Sequence, residues 1–256
     1  MTTHSHPKFR EEKPADGLHA VFASLLAQEG IGEPEEFYAK ACGSVGATKA
    51  EPKDVMAFSG GLRQYRSKPD AGWKAGLFIS ALINSSDHQH FVLAATGAGQ
   101  PMDYIGFRNE KNLVIIGHAG SRLGWEMKNG SIYVDGNAGN EAGGKMADGK
   151  IWVQGDAGER AGIGMRGGML HIKGKHGKEA GHARQGGTIV VGAEQNSKPL
   201  PASAVMDTIE EMTAPARNSR TQGAAHSHSD AAPQPAMMPL GENIYMEASI
   251  KALKEH

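Results

Sequence analysis

Between Leu113 and Val191 the chain alternates its side-chain character with period two in five short runs. They are Leu113-Val-Ile-Ile116, Ser131-Ile-Tyr-Val-Asp135, Lys150-Ile-Trp-Val-Gln154, Met169-Leu-His-Ile-Lys173 and Thr188-Ile-Val-Val191. Such alternation predicts strands buried on one face. In a single register, Leu113, Ile132, Ile151, Leu170 and Ile189 form one aliphatic column. Ile115, Val134, Val153, Ile172 and Val191 form a second, two residues on. The position between the columns holds Val114, Tyr133, Trp152, His171 and Val190.

The segments joining these runs repeat. Gly117–Gly130, Gly136–Gly149, Gly155–Gly168 and Gly174–Gly187 all follow G-x-x-G-x-x-x-G-x-x-M-x-x-G, and each begins 19 residues after the last. The fourth copy departs once, with Arg184 where Met127, Met146 and Met165 stand in the others. A 19-residue unit is too short for a strand–helix–strand crossover and suits one coil of a solenoid. The pattern therefore predicts a mainly β fold: a right-handed, single-stranded parallel β-helix of 19-residue coils. Coils about 4.8 Å apart would stack into a column roughly 20 Å tall. The aliphatic columns become inward ladders, each buried side chain contributing about 1.5–3 kcal/mol before entropy is subtracted. The methionines stack as flexible fillers. Gly117, Gly136, Gly155 and Gly174 open the corners, where positive φ or close approach of the next coil leaves no room for Cβ. Arg122, Glu141, Arg160 and Glu179 alternate in sign at the same spacing and pair only if the coils stack.

The flanks read differently. Leu18, Val21, Phe22, Leu25 and Leu26 mark an amphipathic helix ending near Gly30. Residues 33–42, with Pro34 in the first turn, and residues 72–82 predict two more helices. His90–Ala95 predicts a strand opening an irregular first coil, entered through Gly97-Ala-Gly99 and Tyr104-Ile-Gly106. A β-helix has open ends with unpaired backbone groups. The expected organisation is a helical cap over residues 1–88, a β-helix over 89–196, and a flexible Pro/Ala/His-rich tail over 197–256. Ile244, Met246, Ile250 and Leu253 allow a short terminal helix in that tail.

Composition sharpens this picture at one point and excludes several functions. Of 35 glycines, 21 fall within residues 113–192, so the excess belongs to the repeat. The formal charge is −1, with 27 basic against 28 acidic residues, which gives no footprint for nucleic acid or an anionic membrane. No apolar run is long enough to span a bilayer. The first residues lack a signal-peptide pattern, so a cytoplasmic chain is expected. The single cysteine, Cys42, excludes an intrachain disulfide and reads as a packed thiol.

Candidate chemistry is sparse. Gly162-Ile-Gly-Met-Arg-Gly167 matches the dinucleotide fingerprint, but a strand follows it instead of a helix, which makes it a by-product of the repeat. His4/His6, His88/His90 and His226/His228 each offer two ligands, short of the three a catalytic zinc needs. No catalytic, cofactor-binding or metal-ligating residue is assigned. The informative surface is the outward column with Tyr133, Trp152 and His171, since a solvated face would carry Thr, Lys, Asn or Glu. Exposed aromatics mark protein interfaces. The alternative is a stripe covered within the chain. Asp87, His88, His90, Asp103, Tyr104 and Arg108 are first candidates for a small-molecule site at the junction of cap and β-helix.

The glycine repeat between short aliphatic strands resembles the GXGXG β-helix superfamily over residues 113–192. That superfamily includes the β-helical subunit of formylmethanofuran dehydrogenase and the C-terminal domain of the glutamate synthase large subunit. Residues 155–174 (GDAGERAGIGMRGGMLHIKG) look most like the formylmethanofuran dehydrogenase type. The resemblance implies a non-catalytic scaffold subunit in a hetero-oligomeric enzyme of one-carbon formyl transfer or oxidation. It implies that partner subunits carry any metal, flavin or iron–sulfur centre, with no cofactor on this chain. The alternative it leaves open is a glutamate-synthase-type subunit of an amidotransferase or N-methylglutamate-forming complex. A third reading is a stand-alone enzyme or binder at the cap junction.

Overall fold

The structure is a computed structural model that describes residues 14–28, 30–46 and 48–192. Four helices come first: α1 (Pro14–Leu26), α2 (Pro34–Val45), α3 (Pro52–Gly60) and α4 (Ala71–Ser85), with a 3₁₀ turn at Gly61–Tyr65. Six strands follow: β1 (His90–Ala94), β2 (Asn112–Ile116), β3 (Ser131–Val134), β4 (Lys150–Val153), β5 (Met169–Ile172) and β6 (Thr188–Val191). They form one parallel sheet in the order of the chain, as successive coils of a β-helix of about five turns. The tail expected over 197–256 and its terminal helix lie outside the described residues.

The register is the one the repeat predicts. Leu113 pairs with Ile132, Ile132 with Ile151, Ile151 with Leu170, and Leu170 with Ile189. Every step is 19 residues except β1 to β2, where His90 pairs with Asn112. The irregular first coil is real, and its extra residues form the corner around Gly97–Gly99. Ile132, Ile151 and Leu170 are fully buried, as are Met127, Met146 and Met165.

The corners explain the glycines individually. Each coil has three left-handed residues at alternate positions, for example Arg122, Gly124 and Glu126, or Glu141, Gly143 and Lys145. Only the middle position is always glycine. A Cβ on Gly124 would lie 2.5 Å from Ile151 Cδ1 of the next coil. The outer positions face outward, so charged residues accept the same backbone there. From the second unit on, the fourth glycine receives a methionine: Cβ atoms on Gly149, Gly168 and Gly187 would sit 2.8, 2.6 and 2.7 Å from the Cε atoms of Met127, Met146 and Met165.

The first two glycines make way for side-chain acceptors that bridge coils. Asn137 N–H donates to His118 Nδ1 (2.9 Å), Asp156 N–H to Asn137 Oδ1 (2.9 Å), and Lys175 N–H to Asp156 Oδ1 (2.7 Å). Three residues further on, Glu159 N–H donates to Asn140 Oδ1 (2.9 Å). The alternating charges also meet. Glu141 accepts from Arg122 at 2.7 Å and lies 3.5 Å from Arg160.

The helices close the β1 end. Their own core joins Phe22 of α1, Phe58 of α3 and Phe78 of α4, with ring centroids 5.1–5.5 Å apart. Helix α4 presents Gly76, Ser80 and Asn84, one turn apart, to the first coil. Gly76 leaves no room for a Cβ against the Asp103 carbonyl. Ser80 Oγ accepts from Gly106 N–H (3.0 Å) and Phe107 N–H (3.2 Å), and Asn84 Nδ2 donates to Phe107 O (3.0 Å). These are backbone groups for which the first coil has no coil beneath it, and pairing them avoids roughly 1–3 kcal/mol each of unsatisfied burial.

Gly124→Ala is expected to lower unfolding free energy by about 2–4 kcal/mol, combining left-handed strain with overpacking against Ile151. Glu126→Ala keeps the same backbone and open space, and should cost at most about 1 kcal/mol through its partly exposed pair with Arg108. Urea denaturation of both variants checks the contrast; equal losses would contradict the assignment of the glycine to packing.

Candidate functional site

Two places gather side chains with chemical potential: the outward column of the sheet, and a cleft where α4 meets the first coils.

In the outward column, parallel pairing sets Val114, Tyr133, Trp152, His171 and Val190 directly over one another. This face is not the open aromatic stripe that the alternation suggests. Tyr133 and His171 are each 8% exposed and Val114 6%, while Trp152 and Val190 remain half-buried. Two contacts among the described residues lie at this face. His171 Nε2 lies 2.9 Å from the Gly192 carbonyl, and Gln154, beside Tyr133, accepts from Lys173 Nζ at 3.1 Å. Burial pushes the Tyr133 phenol pKa up, and the negative charge of Asp135 adds to this. Trp152 is the exception in the row. Its indole N–H is buried and has no acceptor among the described residues. A buried donor left unpaired is costly, so this atom marks where the face is incomplete.

The cleft has a volume of about 440 Å³ and is lined by Asp70, Trp73, Gln100, Asp103 and Ser121, with glycine and proline backbone between them. Asp70 precedes α4 in a left-handed conformation (φ 60°). Its carboxylate stands 4.0 Å from the ammonium of Lys74, which is buried against the rings of Phe37 and Trp73. Asp103 Oδ1 accepts from Ser121 N–H at 2.7 Å. Burial pushes the Asp103 pKa up; the Ser121 N–H and the charge of Arg122 oppose this. The result is a small recess with one partly buried carboxyl and one indole wall. Nothing in its lining pairs a nucleophile with a base.

Of the residues singled out for a junction site, only Asp103 lines this cleft. Tyr104 lies beneath Arg122, to which it is hydrogen-bonded, and Arg108 is paired with Glu126. His88 and His90 are exposed, Asp87 forms a surface pair with Lys49, and none of the three belongs to the cleft lining. Among the described residues, no group of three or more His, Cys, Asp or Glu is arranged to hold a metal. His4, His6, His226 and His228 lie outside the described residues. Gly162–Gly167 is a coil corner leading into β5, with Gly162 packed on Ile189 of the last coil. Cys42 is half-buried beside Tyr38, one turn away on α2. Tyr38, whose pKa burial pushes up to about 12, accepts from Asn84 Nδ2 at 2.9 Å and so ties α2 to α4. Trp73 and Gln100 of the cleft carried no signal in the sequence, because neither belongs to a repeat or a motif.

No helix among the described residues is long and apolar enough to cross a membrane. No protein-family model matches the chain, no curated protein matches it, and no solved structure matches it.

Asp103 gives a pH prediction. A carboxyl whose folded pKa is raised favours the folded state fully below its unfolded pKa, and that contribution is lost as pH rises through the folded pKa. Asp103→Asn keeps the acceptor for Ser121 N–H without the charge. The stability difference, variant minus wild type, should therefore grow as pH rises through the carboxylate range and then level off. Denaturation curves from acid to neutral pH measure it; a difference independent of pH would contradict the buried carboxyl.

Proposed function

We propose that this chain is a non-catalytic scaffold subunit of a multi-subunit enzyme, of the kind represented by the β-helical subunit of formylmethanofuran dehydrogenase. Partner subunits would carry out one-carbon formyl transfer or oxidation and hold whatever metal, flavin or iron–sulfur centres that chemistry needs. The observation that carries this reading is Trp152: a half-buried indole on a rigid column, with an N–H that has no acceptor among the described residues. The part of the indole that stays exposed offers a large rigid contact surface, and aromatic anchors of this type dominate the energetics of protein interfaces. The stacked coils support the reading in a second way. A ladder in which each coil is bonded to both neighbours gives a stiff body that holds partners at fixed positions.

The cleft at Asp103 favours a second reading, a binder of small polar molecules acting alone. The two separate on purification from the native source. A scaffold co-purifies with catalytic subunits, and the formyl-transfer activity of the assembly depends on its presence. Trp152→Asp should abolish that association while leaving the circular dichroism and melting of the isolated chain unchanged. A wild-type chain recovered as a stable monomer with turnover of its own would overturn the scaffold reading.

A further inference from the structure

The two ends of the β-helix are finished differently. At the β1 end, Ser80 and Asn84 of α4 pair the free backbone groups of the first coil. At the β6 end the described residues supply nothing equivalent. Thr188 N–H donates to Gly168 O and Gly192 N–H to Ile172 O, each at 2.9 Å. By the alternation of a parallel ladder, the N–H and C=O groups of Ile189 and Val191 point the other way, away from β5. They have no partner among the described residues.

The side chains of this last coil are left open in the same way. In the coils beneath, Ile151 and Leu170, and likewise Val153 and Ile172, are buried. Their successors are not: Ile189 is half-buried and Val191 is 45% exposed, the one large exposed apolar side chain among the described residues. Ala180 is half-buried where Ala142 and Ala161 are fully buried. Arg184 takes the methionine position and turns its guanidinium onto the Gly187 carbonyl at 3.3 Å. This departure from the repeat puts a cation where a further coil would need a filler.

The rim has a sign. On the last coil Lys175, Lys178 and Arg184 are exposed against the single carboxylate of Glu179, and Lys173, which ends the coil beneath that carries Asp156 and Glu159, is exposed as well. A second copy stacked end to end through a two-fold axis would face the same lysines across the joint, which disfavours it. An apolar strip with unpaired backbone groups and a basic border fits an added strand that carries carboxylates.

We propose that the β6 edge is a strand-addition site for an acidic protein partner, whose edge strand pairs with Ile189 and Val191 while its carboxylates meet Lys173, Lys175 and Lys178. This rests on the scaffold reading and names the kind of chain the scaffold holds. It is tested on the full chain with two fluorescent nine-residue peptides, one alternating Val with Asp, the other Val with Lys. The acidic peptide should bind by fluorescence anisotropy and the basic one should not. Val191→Pro removes an N–H that β5 does not use, and should weaken the acidic peptide at least tenfold. The triple variant K173E/K175E/K178E should reverse the preference between the peptides. Equal binding of both peptides, no binding of either, or an acidic-peptide affinity unmoved by Val191→Pro would overturn the proposal. A chain that still co-purifies with catalytic subunits but fails this test keeps the scaffold reading and loses the edge.

Discussion

The whole structure depends on one constraint: residues 19 apart must land on top of one another. In a parallel β-helix each coil satisfies its backbone only through the coils above and below. A slip of one residue would turn every inward aliphatic outward. The repeat resists that slip several times over. The Ile/Leu ladder needs the middle corner glycine directly beneath it. The methionine of one coil needs the fourth glycine of the next. The Asn137–Asp156 bridge and the Arg122–Glu141–Arg160 chain both form at this spacing. None is large alone, yet all require the same register, and that agreement makes the fold specific.

The same constraint makes the ends the places of interest. A coil in mid-stack is self-sufficient, so chemistry or docking arises where stacking stops or a face is left unfinished. The first coil shows one solution. It is longer than the others, departs from the 19-residue step, and is completed by Gly76, Ser80 and Asn84 of α4. The cleft at Asp103 is a consequence of that join between a helix start and three coil corners. The repeat's other departures fall in the terminal coil, where Arg184 replaces methionine.

Much of the β-helix was legible in the sequence because each rule acts between like positions at one fixed spacing. The strand boundaries, the two aliphatic ladders, the methionine stack and the sign-alternating column all follow from that spacing alone. Three of the helices were legible from their apolar periodicity or capping residues. Helix α3 was not, because residues 46–60 hold few large apolar residues; it is set by Pro52 and by the reciprocal cap of Glu51 and Asp54. The outward column was legible as unusual but not in its burial. Alternation says which way Tyr133 and His171 point, and says nothing of what lies over them. The cleft was illegible for a related reason: Asp70, Gln100 and Asp103 are brought together by the irregular first corner, which no repeat encodes.

Disulfide trapping tests the 19-residue register most directly. Gln154 and Lys173 are outward neighbours on adjacent coils, with Lys173 Nζ 3.1 Å from Gln154 Oε1. On a Cys42→Ser background, Gln154→Cys with Lys173→Cys should form an intramolecular disulfide rapidly under mild oxidation, since stacked strands place Cα atoms about 5 Å apart, within the bonding range. Gln154→Cys with Lys175→Cys, two residues out of step, should not. No link in the first pair, or links of equal rate in both, would contradict the stacked coils.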